Sequence, residues 1–192
     1  LRDQYVVDAL NYQERKGLIS SSSQDQRLVT FKAIPIDRFK KFYDIRIDEY
    51  KEKSDERSVY VGQVLARRLN VGVGDEINLM SPIDHSGNVG LPRRFSGTIA
   101  GIFHAEVLDV DDRVIFIPLQ LGEKLFTRKK GLDGIDVRLQ DLEKADELKR
   151  YFRRILPGGI SIKSWADLNS SLFNAMRMER LGTMAVLSLI VL

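Results

Sequence analysis

The pattern of apolar and polar positions is clearest in the stretch from Val59 to Pro82. Three β-forming residues, Val59 to Val61, precede Gly62. The apolar residues that follow have helical spacing: Val64, Leu65 and Leu69. We therefore expect a strand, then a short helix that ends at Asn70.

Turn-forming residues follow this helix. Gly72 and Gly74 allow backbone conformations that residues with a Cβ resist, and the Asp75 side chain can hydrogen-bond the turn backbone. The glycines do not form a phosphate-binding loop, because no Gly-Lys-Ser/Thr sequence follows them. Glu76–Met80 then alternates as a second strand.

Four further segments alternate in the way typical of strands: Leu28–Ile34, Arg93–Phe103, Ile135–Leu139 and Ile160–Lys163. Pro118 is expected to open a helix that runs through Phe126. Asp141 to Leu156 has apolar residues at helical spacing and predicts an amphipathic helix.

The order of these elements predicts an α+β fold with an insertion. The β-rich segment 58–128 interrupts a frame made of residues 1–57 and 129–164. After Gly131 the frame has β-α-β order, so strands 28–34, 135–139 and 160–163 should meet in a sheet of their own. Residues 165–192 should form a helix that leads into a truncated transmembrane segment.

Weaker patterns predict three smaller features. Asp37–Phe42 should be a short helix that turns its two phenylalanines inward. Asp44–Arg57 is highly charged and should be a surface excursion. Two strands, 107–110 and 113–117, should form a hairpin with Asp111 and Asp112 at its solvated tip.

The C-terminal segment changes character. Ser164 and Asp167 have capping-box spacing, and one helix should continue from there through Arg180 with Trp165 packing it against the domain. Leu181–Leu192 carries no charge. A bilayer span needs about 20 residues, so this run is either the first half of a transmembrane helix or a buried terminal helix.

Composition narrows the possible functions only slightly. The 192 residues are 43% apolar and 30% charged, and the formal net charge is +3. This balance indicates a folded domain and gives no reason to expect a nucleic-acid partner. The chain has no cysteine, which excludes disulfides.

Candidate chemistry is sparse. His85 and His104 lie in different predicted elements, and neither has a partner at metal-ligand spacing. His104 is expected at the surface. The acidic cluster Asp109, Asp111 and Asp112 lacks the EF-hand pattern. We therefore predict no catalytic residues, no metal site and no cofactor.

Two groups of residues resemble one known family. The first is Val59–Pro82 followed by the strand that ends Gly101-Ile102-Phe103. The second is Trp165, then Ser-Leu-Phe-x-Ala-x-Arg-x-Glu over 171–179 and the apolar run. Both resemble the extracytoplasmic domain of lipoprotein-releasing ABC permeases of the LolC/LolE type, within the wider MacB/FtsX-like permease group. The resemblance covers roughly residues 28–192.

This resemblance implies a fold and a set of partners. The family's domain combines an α+β Porter subdomain with an inserted β-rich Sabre subdomain, which would correspond to 1–57 with 129–164 and to 58–128. The permease would sit in the inner membrane with this domain in the periplasm. Its partners would be a cytoplasmic ATPase subunit, a second permease subunit, a lipoprotein substrate and a periplasmic lipoprotein chaperone.

The resemblance also implies functional residues. In one branch of the family, a loop between two Sabre strands binds the chaperone. We call the matching segment of this chain the docking loop: His85, Ser86, Gly87, Asn88, Val89, Gly90, Leu91 and Pro92. A polar group at the strand bases matches residues that we call the docking pad: Asn78, Arg93 and Arg94. Residues expected to couple the domain to the membrane are Trp165, Phe173, Arg177 and Glu179. The glycine-rich tip of the loop is short, which also fits a plain hairpin turn.

Two alternatives remain at this point. The chain could be a MacB/FtsX-like permease domain of another export or signalling system. It could also be a soluble β-barrel binding module, because a helix followed by Val-Gly-Asp and a strand also occurs in small double-psi-type barrels. A permease requires Leu181–Leu192 to continue as about 20 apolar residues, whereas a soluble module does not.

Overall fold

The computed structural model describes residues 5–21, 25–50, 55–81, 93–126 and 131–191. The strands are β1 (Val6–Ser20), β2 (Gln26–Ile34), β3 (Arg46–Tyr50), β4 (Ser58–Gly62), β5 (Glu76–Met80), β6 (Arg94–His104), β7 (Val114–Pro118) and β8 (Gly134–Leu139). The α-helices are α1 (Phe39–Tyr43), α2 (Gln63–Leu69), α3 (Leu108–Arg113), α4 (Leu119–Leu125), α5 (Ala145–Ile155), α6 (Trp165–Leu168) and α7 (Ser170–Val191). Short 3-10 turns precede α1 at Ile36–Arg38 and α5 at Leu142–Lys144.

Six strands pair in a closed ring, in the order β1, β2, β7, β4, β6, β5 and back to β1. Two of these pairings, β2 with β7 and β4 with β6, are parallel. Strand β8 pairs with β1, and β3 pairs with β6, so both extend the same sheet. The fold is α+β, as predicted.

The expected second sheet is not present among the described strands. Leu28–Ile34 lies in β2 and pairs with β1 and with β7, and 135–139 lies in β8 beside β1. The third predicted strand, 160–163, is not a strand. The prediction failed because β1 is 15 residues long and pairs with β2, β5 and β8. The strands assigned to two subdomains therefore lie in one sheet. The subdomain boundaries proposed from sequence stay a prediction.

The main core fills the ring and is closed by two helices. Alternate residues of the strands point inward and are almost fully buried, among them Ile19, Phe31, Val61, Leu79 and Ile115. Helix α2 adds Leu65, Ala66 and Leu69, and α4 adds Leu121 and Leu125. Burial of this apolar area supplies most of the stability of the ring.

A second cluster lies on the outer surface of the ring, beneath α1. Phe39 is 1% exposed, and its ring centroid lies 4.5 Å from that of Phe116 and 5.0 Å from that of Tyr60. Phe42 is also buried, which confirms the prediction that this short helix turns both phenylalanines inward. Aromatic pairs at such distances add to the stability gained from burial alone.

The Val59–Met80 stretch folds as its sequence predicts. Asn70 ends α2 in the left-handed conformation, with φ 51°, and Gly74 has φ 94°. The Gly72 N–H donates to the Asp75 carboxylate at 2.8 Å, as the turn chemistry suggested. Strand β5 then starts at Glu76 and pairs antiparallel with β6.

Two other local predictions are wrong. Arg46–Tyr50, expected in a surface excursion, is strand β3 and pairs with β6. The predicted hairpin around Asp111 and Asp112 is helix α3 instead. Asp111 is 2% exposed and accepts a hydrogen bond from the Ala105 N–H at 2.7 Å, so its burial favours a helical turn over a solvated tip.

The chain divides into two compact units, Asp8–Arg138 and Leu1–Val7 with Leu139–Leu192. The second unit contains α5, α6 and α7. The predicted single helix from Ser164 to Arg180 is interrupted at Asn169, which separates α6 from α7. Within the described residues, no helix combines the length and the apolar character needed to cross a membrane.

Candidate docking pad and coupling helices

The docking pad lies on the β5–β6 hairpin. Antiparallel pairing places Asn78 opposite Ser96 and Met80 opposite Arg94. Asn78 and Arg94 are exposed, whereas the residues between them on β5 and β6 turn toward the core. The structure thus brings two of the three predicted pad residues to one outer face of the hairpin.

Arg93, the third pad residue, is held where the chain leaves this hairpin. The Ser81 N–H donates to the Arg93 carbonyl at 3.0 Å, and the Arg93 N–H donates to the Ser81 hydroxyl at 3.3 Å. The Arg93 guanidinium donates to the Lys124 carbonyl at 2.8 Å, near the end of α4. Arg93 therefore also has a structural role, and Arg94 is the more available of the two charges.

The docking loop, His85 to Pro92, lies outside the described residues. Ser81 and Arg93, the described residues on either side of segment 82–92, pair with each other.

His104 and Asp111 form a buried polar contact that the sequence did not reveal. His104 Nδ1 lies 3.2 Å from an Asp111 carboxylate oxygen, and the His104 side chain is 28% exposed, so the histidine predicted at the surface is partly covered. Gly62 passes so close that a Cβ there would lie 2.2 Å from the Asp111 carbonyl oxygen. The His104–Asp111 contact joins the end of β6 to α3, and Gly62 at the end of β4 packs against the same helix. The part of the chain that the structure describes contains no group of three candidate ligands that could hold a metal ion.

The membrane-coupling role of Trp165, Phe173, Arg177 and Glu179 stays a prediction. Trp165 is 51% exposed, so the expectation that it is fully buried is wrong. Arg177 and Glu179 are exposed on α7, and the Phe173 side chain lies outside the described part of the chain. A loss of 3–5 kcal/mol for Trp165→Ala, which requires full burial, is therefore no longer expected.

Asp167 links α6 to α5 within the second unit. Its carboxylate accepts from the Ser164 N–H at 2.7 Å, and the Asp167 N–H donates to the Ser164 hydroxyl at 3.2 Å, which completes the predicted capping box. The Lys149 ammonium on α5 also donates to this carboxylate. These bonds, with that from Lys149 the strongest, lower the pKa of Asp167 to about 2. Sequence reasoning found the cap but missed Lys149, which lies 18 residues away with no local pattern to mark it.

Comparison with known proteins gives two kinds of similarity. The chain is 26% identical over 140 residues to "Lipoprotein-releasing system transmembrane protein LolC" of Xylella fastidiosa strain 9a5c, covering 72% of this chain and 34% of that protein. It is 24% identical over 141 residues to the protein of the same name from Neisseria meningitidis serogroup B, covering 71% and 33%. The chain thus spans about a third of the length of these relatives. No protein-family model matches it.

Solved structures share its fold. The periplasmic region of MacB from Actinobacillus actinomycetemcomitans superposes with a TM-score of 0.51 at 9% identity, covering 79% of this chain and 68% of that one. The extracellular domain of the noncanonic ABC-type transporter YknZ from Gram-positive bacteria gives a TM-score of 0.51 at 9% identity, covering 75% and 71%. At such identities the likeness concerns the fold alone. The resemblance inferred from the residues is confirmed: in sequence and in fold, the chain is similar to the extracytoplasmic domain of a LolC/MacB-like ABC permease.

Proposed function

We propose that this chain is the periplasmic domain of an inner-membrane ABC permease that passes lipoproteins to a periplasmic chaperone. The domain binds the chaperone and transmits movement, and it performs no chemistry itself. ATP hydrolysis takes place on a separate cytoplasmic ATPase subunit, and a second permease subunit completes the transporter. Similarity to LolC supports the permease assignment.

The observation that carries the docking role is the position of the pad. Asn78 and Arg94 are exposed on a hairpin whose strands pair over five successive residue pairs, so their backbone positions are fixed by the ring. An exposed arginine on a rigid support favours fast association with a carboxylate-rich surface.

Movement would pass to the membrane through the second unit. Helix α7 spans 22 residues and follows α6, whose Asp167 accepts a hydrogen bond from Lys149 of α5. We propose that α7 leads into the membrane and that Arg177 and Glu179 mark the boundary, since both are charged and are followed by the uncharged run Leu181–Leu192.

A binding measurement tests this function. The 192-residue chain is titrated with the lipoprotein chaperone of the same organism, purified free of lipoprotein. Arg94→Glu should weaken binding at least about tenfold, mostly through a slower association rate. The matched control is Arg67→Glu, a charge reversal at an exposed arginine of α2, which should leave binding unchanged.

Deletion of Gly87–Gly90 tests the loop separately. We expect lost binding with unchanged thermal stability, because a surface turn tolerates shortening. If the chaperone binds the parent chain but neither Arg94→Glu nor the deletion alters binding, the docking role of pad and loop is wrong. If the chaperone does not bind the parent chain, a permease of another export or signalling system becomes the better assignment.

A further inference from the structure

A cleft of about 390 Å³ lies between α2 and β3, within the Asp8–Arg138 unit. Gln63 and Arg67 of α2 and Asn70 at its C-terminal cap line it, at positions i, i+4 and i+7, so they form one polar stripe along the helix. Val71 and Ile102 also line the cleft and pack against the main core, and we call these two residues the apolar floor. The volume is at the lower end of the range found for small-molecule sites.

A β-bulge places a carboxylate in the same cleft. The pairing of β3 with β6 passes from Ile47 to Glu49 and leaves Asp48 as an extra residue without a partner on β6. The Asp48 side chain lines the cleft and is 39% exposed. Arg46 Nε lies 2.9 Å from one of its carboxylate oxygens. A polar stripe on a surface helix is ordinary, but a bulge that directs a side chain toward it is a feature common beside functional sites.

The charges that line the cleft have opposite signs. Arg67 is exposed, and within the described residues its guanidinium forms no ion pair, whereas its neighbour Arg68 pairs with Asp112 at 2.9 Å. A polyanion in the cleft would be repelled by Asp48, and a polycation would be repelled by Arg67. None of the described residues that line the cleft is aromatic, so a base or a sugar ring finds no stacking surface there. The lining therefore favours a ligand that carries one charge of each sign.

We propose that this cleft binds a small zwitterion, namely an α-amino acid or a short peptide with free ends and an apolar side chain. Arg67 donates charge-assisted hydrogen bonds to the ligand carboxylate, and Asp48 accepts from the ligand ammonium. The carboxamides of the polar stripe bond the remaining polar atoms, and the apolar floor contacts the side chain. The cleft contains none of the docking-pad residues, so this site is independent of the proposed function.

Calorimetric titration of the 192-residue chain tests the ligand class. The probes are leucine, glycyl-leucine and glycyl-glycyl-leucine, in which the ammonium and the carboxylate lie progressively further apart. The tightest binder distinguishes a free amino acid from a peptide. Its N-acetylated form lacks the ammonium and its C-amidated form lacks the carboxylate, and each should bind at least about tenfold more weakly than the unblocked probe.

Two substitutions test the residues through this preference for free ends. Arg67→Gln should abolish the preference for a free carboxylate, and Asp48→Asn should abolish the preference for a free amine. The matched control is Arg27→Gln, at an exposed arginine of β2 outside the cleft, which should leave Kd unchanged. Thermal stability should stay that of the parent in all three variants, because surface charges contribute little to it. The proposal is overturned if no probe binds the parent chain with Kd below about 1 mM, if blocked probes bind as tightly as free ones, or if both variants keep the parent's preferences.

Discussion

Gly62→Ala tests the close packing of β4 against α3, where Gly62 contacts the Asp111 backbone. Gly62 has φ −68° and ψ 149°, which any residue adopts, so glycine is required here for space and not for backbone freedom. An added Cβ would lie 2.2 Å from the Asp111 carbonyl oxygen and 2.6 Å from its Cα. The two backbone segments would have to move apart by about 1 Å to restore an ordinary van der Waals distance.

The expected cost has two parts. Overpacking of this kind costs about 1–3 kcal/mol. Asp111 is 2% exposed and accepts from the Ala105 N–H at 2.7 Å, so its displacement also weakens a hydrogen bond to a buried carboxylate, worth about 1.5–3 kcal/mol. We expect Gly62→Ala to lower the free energy of unfolding of the Asp8–Arg138 unit by about 3–5 kcal/mol.

Native-state hydrogen exchange of the β4 amides is the appropriate assay, because a chain of two units need not unfold in one step. Gly72→Ala is the matched control. A Cβ at Gly72 would meet only the Asp75 carboxylate, at 3.9 Å, so its cost should stay below about 1 kcal/mol. If the two variants differ by less than 1 kcal/mol, the close packing of β4 on α3 is refuted.

Two further predictions concern other contacts. The Tyr43 hydroxyl donates to the Asp136 carboxylate at 2.6 Å, and burial raises the pKa of this tyrosine. Tyr43→Phe should therefore lower the free energy of unfolding, measured in urea, by about 1.5–3 kcal/mol. A loss below about 0.5 kcal/mol would contradict the hydrogen bond. The pKa of Asp167 is lowered to about 2, so its stabilisation of the α6 cap is fully present above about pH 4 and is lost as the pH falls toward 2. Hydrogen exchange of α6 should show this loss, Asp167→Asn should abolish the pH dependence, and an unchanged profile in that variant would disprove it.

Elements specified by local chemistry were predictable from the sequence. The turn from Asn70 to Asp75 needs a left-handed residue, a glycine and a capping carboxylate, and each stands at its position in the chain. The capping box at Ser164 was predictable for the same reason. Such signals depend on neighbours within a few residues, which the sequence displays directly.

Elements specified by distant partners were not predictable. Strand β1 has no simple alternation, because it changes partners along its length; Gln13 is 4% exposed and donates to the Gly131 carbonyl at 2.8 Å. The charged sequence around Asp111 favours a solvated turn locally, yet the buried carboxylate is satisfied by Ala105. The pad residues were located by family resemblance, and the pairing that brings Asn78 and Arg94 to one face appears only when the strand register is known.

The closed ring bears on which of the candidate functions is correct. A ring of six strands is the architecture on which the binding-module alternative rested, so its presence does not by itself favour a permease. The permease is distinguished from the binding module by the sequence similarity to LolC over 140 residues, because proteins that share only an architecture would not show it. The ring contributes rigidity, because β5 is paired on both sides, with β1 and with β6, which fixes the backbone spacing of Asn78 and Arg94. A surface that does not reorganise loses little conformational entropy on binding, which suits the pad for the docking role proposed above.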